Sequence, residues 1–140
     1  MHEVKRGMIK DRRIGSEYLF PGIGYGGSCL PKDVKGLINI AEDSNYNANL
    51  LKAIDKVNEY QPDLLSQKIK RYYEDKNGLE GRLLSLWGLA FKPGTDDIRE
   101  APSLKLIRNL LNENVKLNVY DPKATENVRK LFGDKLSYSV

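Results

Sequence analysis

The chain has 140 residues, 40% of them hydrophobic and 30% charged, which is enough apolar content to bury a core and rules out wholesale disorder. Its formal charge is +4, from 23 Lys and Arg against 19 Asp and Glu. The basic residues are spread among acidic ones rather than gathered into a stripe, so a charged metabolite is expected as ligand and nucleic acid is not.

No run of about 18 apolar residues exists to span a membrane, and the charged start, Met1-His2-Glu3-Val4-Lys5-Arg6, argues against a secretory leader. The lone cysteine, Cys29, allows no internal disulfide, and with a single histidine no Cys/His metal cluster is expected. The expected compartment is a reducing cytoplasm.

Residues 1–16 are polar, with no apolar period to support an element of their own. From residue 18 to 27 the chain turns aromatic and glycine-rich, which reads as an ordered loop. Pro31 then opens a helix, because its fixed φ suits the first turn and its missing N–H costs nothing there. Val34, Leu37, Ile38 and Ala41 recur at helical spacing until Asp43-Ser44-Asn45. A longer helix follows from about Ala48, with Leu50, Leu51, Ile54, Val57, Leu64, Leu65, Ile69 and Tyr72 as its buried stripe. Pro62 predicts a kink or a restart within it. So long a stripe in so small a chain is expected to pack against a second copy.

After Asp75-Lys76-Asn77-Gly78 the period changes. Arg82-Leu-Leu-Ser-Leu-Trp87 reads as a buried strand, and Pro102-Ser103 starts a helix whose inner face is Leu104, Ile107, Leu110 and Leu111. Val115-Lys-Leu-Asn-Val-Tyr120 alternates as a strand, with a further helix near 126–131 and a strand near 136–140. This order is the opening of a doubly wound parallel sheet. The fold class is therefore an α-helical dimerisation core followed by the start of an α/β, Rossmann-like nucleotide-binding domain. The expected division is 1–76 for the cysteine loop and helical core, and 77–140 for the α/β part. A sheet that stops after about three strands suggests a piece of something larger.

Gly22-Ile-Gly24-Tyr-Gly26-Gly27 satisfies G-x-G-x-x-G, but no strand leads into it, as the dinucleotide fingerprint requires. We read it as a loop hugging a ligand rather than a connector, since Phe20 and Tyr25 surround it. Cys29 stands two residues before Pro31, at the positive end of a helix and near Lys32. Both effects favour the nucleophilic thiolate. Asp33, four positions on, is near enough to handle a proton or orient a water. Lys92 and Arg99 lie between a strand's carboxyl end and the next helix, where phosphates bind in open α/β sheets. There they are either phosphate partners or solvated charges.

Gly24-Tyr-Gly-Gly-Ser-Cys29-Leu-Pro-Lys-Asp33 resembles the nucleophile segment of nucleotide-sugar dehydrogenases. Trp87-Gly-Leu-Ala-Phe-Lys-Pro-Gly-Thr-Asp-Asp-Ile-Arg-Glu-Ala-Pro-Ser103 resembles the second signature of the UDP-glucose/GDP-mannose dehydrogenase family, and Asp11-Arg-Arg-Ile-Gly15 fits as well. The resemblance covers essentially the whole chain. It implies oxidation of UDP-glucose to UDP-glucuronate with two NAD and water, through a thiohemiacetal and a thioester on Cys29. It implies that Asp33 positions or deprotonates water. By the same resemblance Tyr18, Leu19, Phe20, Pro21, Gly22, Gly26, Phe91 and Lys92 hold the nucleotide sugar. Arg13 would reach the substrate of a partner subunit in a homodimer or higher homo-oligomer. Lys32 and Arg99 would contact the cofactor, NAD. The family's N-terminal NAD-binding domain is not expected in these residues. The rival readings are a GDP-mannose dehydrogenase, from which the 87–93 stretch leans away, and a non-catalytic dimerisation module.

Overall fold

The computed structural model describes residues 2–16 and 19–139. Tyr18, one of the expected sugar contacts, lies outside the described residues. The elements run α1 (His2–Met8), α2 (Leu30–Asp43), α3 (Asn49–Glu74), β1 (Leu83–Trp87), α4 (Pro102–Asn112), β2 (Lys116–Tyr120), α5 (Thr125–Phe132) and β3 (Ser137–Tyr138).

Helix α1 was not expected, and the reason is physical. It buries nothing, so no apolar period marks it, yet Glu3 in its first turn and Lys5 and Arg6 in its last complement the helix dipole. Helix α3 runs unbroken through Pro62 for 26 residues, about 40 Å, so there is no restart. Pro62 is buried, and α4 crosses the helix next to it. Lys105 donates to the Glu59 carbonyl and, at 2.9 Å, to the Asp63 carboxylate. Asn109 donates to the other Asp63 oxygen at 2.8 Å and to Ser66 Oγ at 3.2 Å. Ser66 in turn donates to the Pro62 carbonyl at 3.1 Å. The backbone that proline disturbs is thus tied to α4 by polar side chains. Lys105 accordingly holds the Asp63 carboxyl below its ordinary range, with Asn109 assisting against burial.

The expected stripe on α3 divides in two. Leu65 and Ile69, with Tyr73, pack on the core, whereas Leu50, Ile54, Val57 and Tyr72 are exposed. Helix α2 likewise leaves Leu37 and Ile40 in solvent and is tied to α3 by Lys35–Glu59, while Lys52 of α3 pairs with Glu42.

The strands form a parallel sheet in the order β1-β2-β3, with Leu84 opposite Leu117 and Leu86 opposite Val119. Those four residues share the face that packs on the helices. The core is Leu89, Leu104, Leu106, Ile107, Leu110, Leu117, Val119, Val128 and their neighbours. Leu106 is buried and Leu111 only partly so, because α4 presents residues to α3 as well as to the sheet. The 82–87 run was expected to be a buried strand. Instead its outward residues, Leu83 and Trp87, are 64% and 82% exposed, because one face of the sheet is uncovered among the described residues. No described helix is long and apolar enough to cross a membrane.

Ile107 is 0% exposed, and Ile107→Ala should lower the unfolding free energy by about 2–5 kcal/mol in urea titrations. Leu131, 57% exposed, should tolerate alanine within roughly 0.5 kcal/mol.

Candidate functional site

The carboxyl ends of β1 and β2 open together, and the loop from residue 88 to 101 leaves from that edge. Asp121, just past β2, organises it. One carboxylate oxygen accepts the N–H groups of Leu89 (2.9 Å) and Ala90 (3.3 Å) in the loop after β1. The other accepts those of Lys123 and Ala124, both at 2.8 Å, at the start of α5. Burial alone would raise the Asp121 carboxyl, but these N–H groups outweigh it and hold the carboxyl below its ordinary range. Gly88, Ala90, Phe91, Lys92, Pro93, Gly94, Asp121, Pro122 and Lys123 line a crevice of about 440 Å³ at this edge. Its two cations, Lys92 and Lys123, suit an anionic ligand, and Lys123 also donates to the Gly94 carbonyl at 3.0 Å.

Further along the loop, the Arg99 guanidinium grips Asp97 with two parallel bonds, Nε–Oδ1 at 3.0 Å and Nη2–Oδ2 at 2.6 Å. Those bonds, with the Arg99 N–H, bring the Asp97 carboxyl down from 3.8 to about 2. Arg99 is raised in return, first by its bonds to Asp97 and in smaller part by Cys29.

The glycine-rich loop meets this assembly directly. No strand precedes it among the described residues; it leads into α2, and its glycines serve packing rather than a dinucleotide turn. A Cβ on Gly26 would lie 2.2 Å from the Glu100 carbonyl oxygen, and one on Gly27, at φ 85°, would lie 2.7 Å from the Phe91 ring. Gly27 N–H donates to the Arg99 carbonyl at 2.8 Å. On the opposite side Asn58 of α3 holds Tyr25, accepting its N–H at 2.7 Å and donating to its carbonyl at 3.0 Å.

Cys29 emerges from this clamp as the residue capping the N-terminus of α2, exposed and unpaired in any disulfide, with Ser28 Oγ 3.7 Å from its Sγ. Asp33, one turn along, donates its N–H to the Cys29 carbonyl at 2.8 Å, and its carboxylate takes the ammonium of Lys32 at 3.0 Å. That bond raises Lys32 above the ordinary lysine range, with a smaller contribution from Cys29. The segment carrying Cys29, Lys32 and Asp33 is therefore joined at Gly27 to the one carrying Phe91 and Arg99, some sixty residues away in the sequence.

The remaining expected residues stand apart from this cluster. Arg13 has a 90% exposed side chain held by Asp11 (2.6 Å). Leu19 is half-buried, Pro21 and Gly22 are exposed, and Phe20 carries the Lys5 ammonium 3.3 Å from its ring centre. Phe20, Gly22, Gly24 and Tyr25 instead line a groove of about 450 Å³ with Ile54, Val57, Asn58 and Gln61 of α3. Sequence reasoning missed Asn58, Asp121 and Lys123. Asparagine inside a helix is a poor helix former, and that was the one available signal for Asn58.

A parallel sheet with helices on one face and a cationic crevice at its carboxyl edge, joined to a helical part that bears the cysteine, is a Rossmann-like α/β unit on a helical core. Residues 1–60 match the central domain of the UDP-glucose/GDP-mannose dehydrogenase family, and residues 85–140 match that family's UDP binding domain. The chain belongs to this family. It is 45% identical over 128 residues to a UDP-glucose 6-dehydrogenase of Pseudomonas aeruginosa, covering 91% of this chain and 28% of that protein. The corresponding Bacillus subtilis enzyme is 40% identical, with 96% and 30% covered. A UDP-glucose dehydrogenase structure from Pyrobaculum islandicum superposes with a TM-score of 0.88 at 38% identity, over 99% of this chain and 32% of that one. A GDP-mannose dehydrogenase from Pseudomonas aeruginosa gives 0.65 at 30% identity, over 91% and 28%. The chain thus spans about 30% of the length of the relatives it matches.

Asp121→Asn places an amide NH₂ against backbone N–H groups and should lower stability by about 1–3 kcal/mol in urea unfolding. The Asp97 carboxyl is depressed in the folded chain, so the Arg99 pair stabilises fully above pH 3.8 and is lost as the pH falls towards 2. Arg99→Ala should return the Asp97 midpoint towards 3.8 in carbon-13 NMR titration.

Proposed function

We propose that this chain supplies the nucleophile segment and part of the sugar-nucleotide site of an NAD-dependent UDP-glucose 6-dehydrogenase. The observation that carries the reading is the junction of the two signature segments, with Gly26 and Gly27 seated on the Phe91–Ala101 loop and Cys29 just beyond. The greater likeness to UDP-glucose enzymes than to the GDP-mannose enzyme supports UDP-glucose as the substrate.

In this reading the Cys29 thiolate attacks the C6 aldehyde of the half-oxidised sugar. A C–S bond forms and the carbonyl oxygen takes a proton, leaving a thiohemiacetal. Oxidation of that carbon gives a thioester, and water adds to it and expels Cys29 as thiolate. Only a sulfur nucleophile both adds and leaves readily at such a carbon. Asp33, one turn along from Cys29, orients the attacking water. Lys92, with Phe91 at its side, neutralises the sugar nucleotide in the crevice at the carboxyl edge. NAD, when bound, supplies the hydride acceptor. Lys32 and Arg99, 74% and 68% exposed at the side chain, fit its negative charge.

Residues 1–76 then form the cysteine loop and helical core, and residues 77–140 the first part of the UDP-binding unit. The exposed Leu37, Ile40, Leu50, Val57 and Tyr60 of α2 and α3 support a homodimer or higher homo-oligomer through these helices. Arg13, exposed on its turn, would reach the partner's substrate. A reducing cytoplasm suits a catalytic thiol.

In the complete enzyme Cys29→Ser should abolish net acid formation, since a serine hydroxyl stays protonated and its ester leaves poorly. NADH production within about tenfold of wild type would overturn the assignment. Sedimentation equilibrium should find the chain associated, and Leu50→Glu should dissociate it; a well-behaved wild-type monomer would remove the interface.

A further inference from the structure

We infer that Asn58 is a positioning residue for Cys29, acting through the backbone of Tyr25; the inference rests on the nucleophile reading above. The side-chain amide offers a donor and an acceptor in one plane, and a single residue's backbone uses both. Tyr25 N–H reaches Oδ1 at 2.7 Å, and Nδ2 reaches the Tyr25 carbonyl at 3.0 Å. A neighbouring strand would offer the same pairing, here supplied by one helical side chain.

The preceding residue confirms how close the approach is. Gly24 has φ 119°, and a Cβ there would stand 2.9 Å from Asn58 Oδ1. The residues leading to Cys29 are therefore held from two sides, by Asn58 on α3 and by the Arg99–Ala101 backbone at Gly26 and Gly27. Three glycines in four residues make this segment costly to order without such fixtures. The fixture on α3 is itself firm: one turn beyond Asn58, buried Pro62 and its neighbours are tied to Lys105 and Asn109 of α4. With the loop seated, Cys29 follows two residues after a Gly27 N–H bonded to the Arg99 carbonyl; with it released, the cysteine loses its fixed place at the head of α2.

The test compares this chain with Asn58→Ala, Gly24→Ala and Lys70→Ala, all below their unfolding transitions. Amide hydrogen exchange is read at Tyr25 and Gly27, and the rate of Cys29 alkylation by iodoacetamide is read in parallel. Asn58→Ala should speed Tyr25 exchange roughly tenfold or more and slow alkylation several-fold. Gly24→Ala attacks the same contact from the loop side, should act alike, and serves if Asn58→Ala does not fold. Lys70→Ala removes the Glu113 ion pair of α3, about three turns beyond Asn58, without touching the loop and should leave alkylation within about twofold of wild type.

Unchanged exchange at Tyr25, or equal slowing of alkylation by Lys70→Ala, would overturn the inference. A fast wild-type Cys29 that ignores Asn58→Ala sinks the positioning role alone. A wild-type Cys29 no faster than free cysteine, with Tyr25 exchange still sped by Asn58→Ala, sinks the nucleophile reading and leaves the clamp standing.

Discussion

The backbone at Gly26 lies so close to Glu100 that a Cβ would fall 2.2 Å from its carbonyl oxygen, and the next N–H donates to the Arg99 carbonyl. Through that contact the cysteine loop and the loop leaving β1 become one surface. Phe91 stands between them, its ring against Gly27 on one side and in the cationic crevice on the other. Any side chain at Gly26 or Gly27 would push the two loops apart and carry Cys29 away from Arg99. Glu100 itself adopts φ 50°, an uncommon conformation for a residue with a side chain, consistent with a backbone held to serve this contact.

The helices provide the frame for that junction. A proline in a long helix usually weakens it, yet here the disturbed turn is where α4 docks, because its carbonyls and the Asp63 carboxylate can accept from Lys105 and Asn109. Helix α4 follows the 88–101 loop and α3 carries Asn58, so the same helix pair governs both sides of the cysteine loop. At the sheet edge Asp121 does the corresponding task, joining the loop after β1 to the start of α5 with one carboxylate.

The apolar surface is unevenly covered. Leu50, Ile54 and Val57 on α3 and Trp87 on the sheet remain in solvent, while the inner sheet face and α4 are buried. These patches lie outside the core of the described residues. They also explain why a periodic stripe is a poor guide to a monomer's core: the period says that a face is apolar and says nothing about what covers it.

Local chemistry made much of this protein readable from its residues alone. Pro31 and Pro102 mark helix starts, the alternation at 115–120 marks a strand, and the order of elements implies a parallel sheet. Cys29 at a helix N-terminus and the signatures around it identify the family. Each of these depends on neighbours in sequence, through dihedral preference, side-chain period or helix dipole. Helix α1 escaped because charge pairing with the dipole, not burial, supports it. The exposure of Leu83 and Trp87, the docking at Pro62, and the roles of Asn58, Asp121 and Lys123 were decided only by tertiary structure. Asn58 and Tyr25 are 33 positions apart, and Asp121 and Leu89 are 32 apart. A lone asparagine or aspartate looks like any polar surface residue until the fold brings unpaired backbone N–H groups to it, since its hydrogen bonds are specified by approach in space and leave no period in the chain.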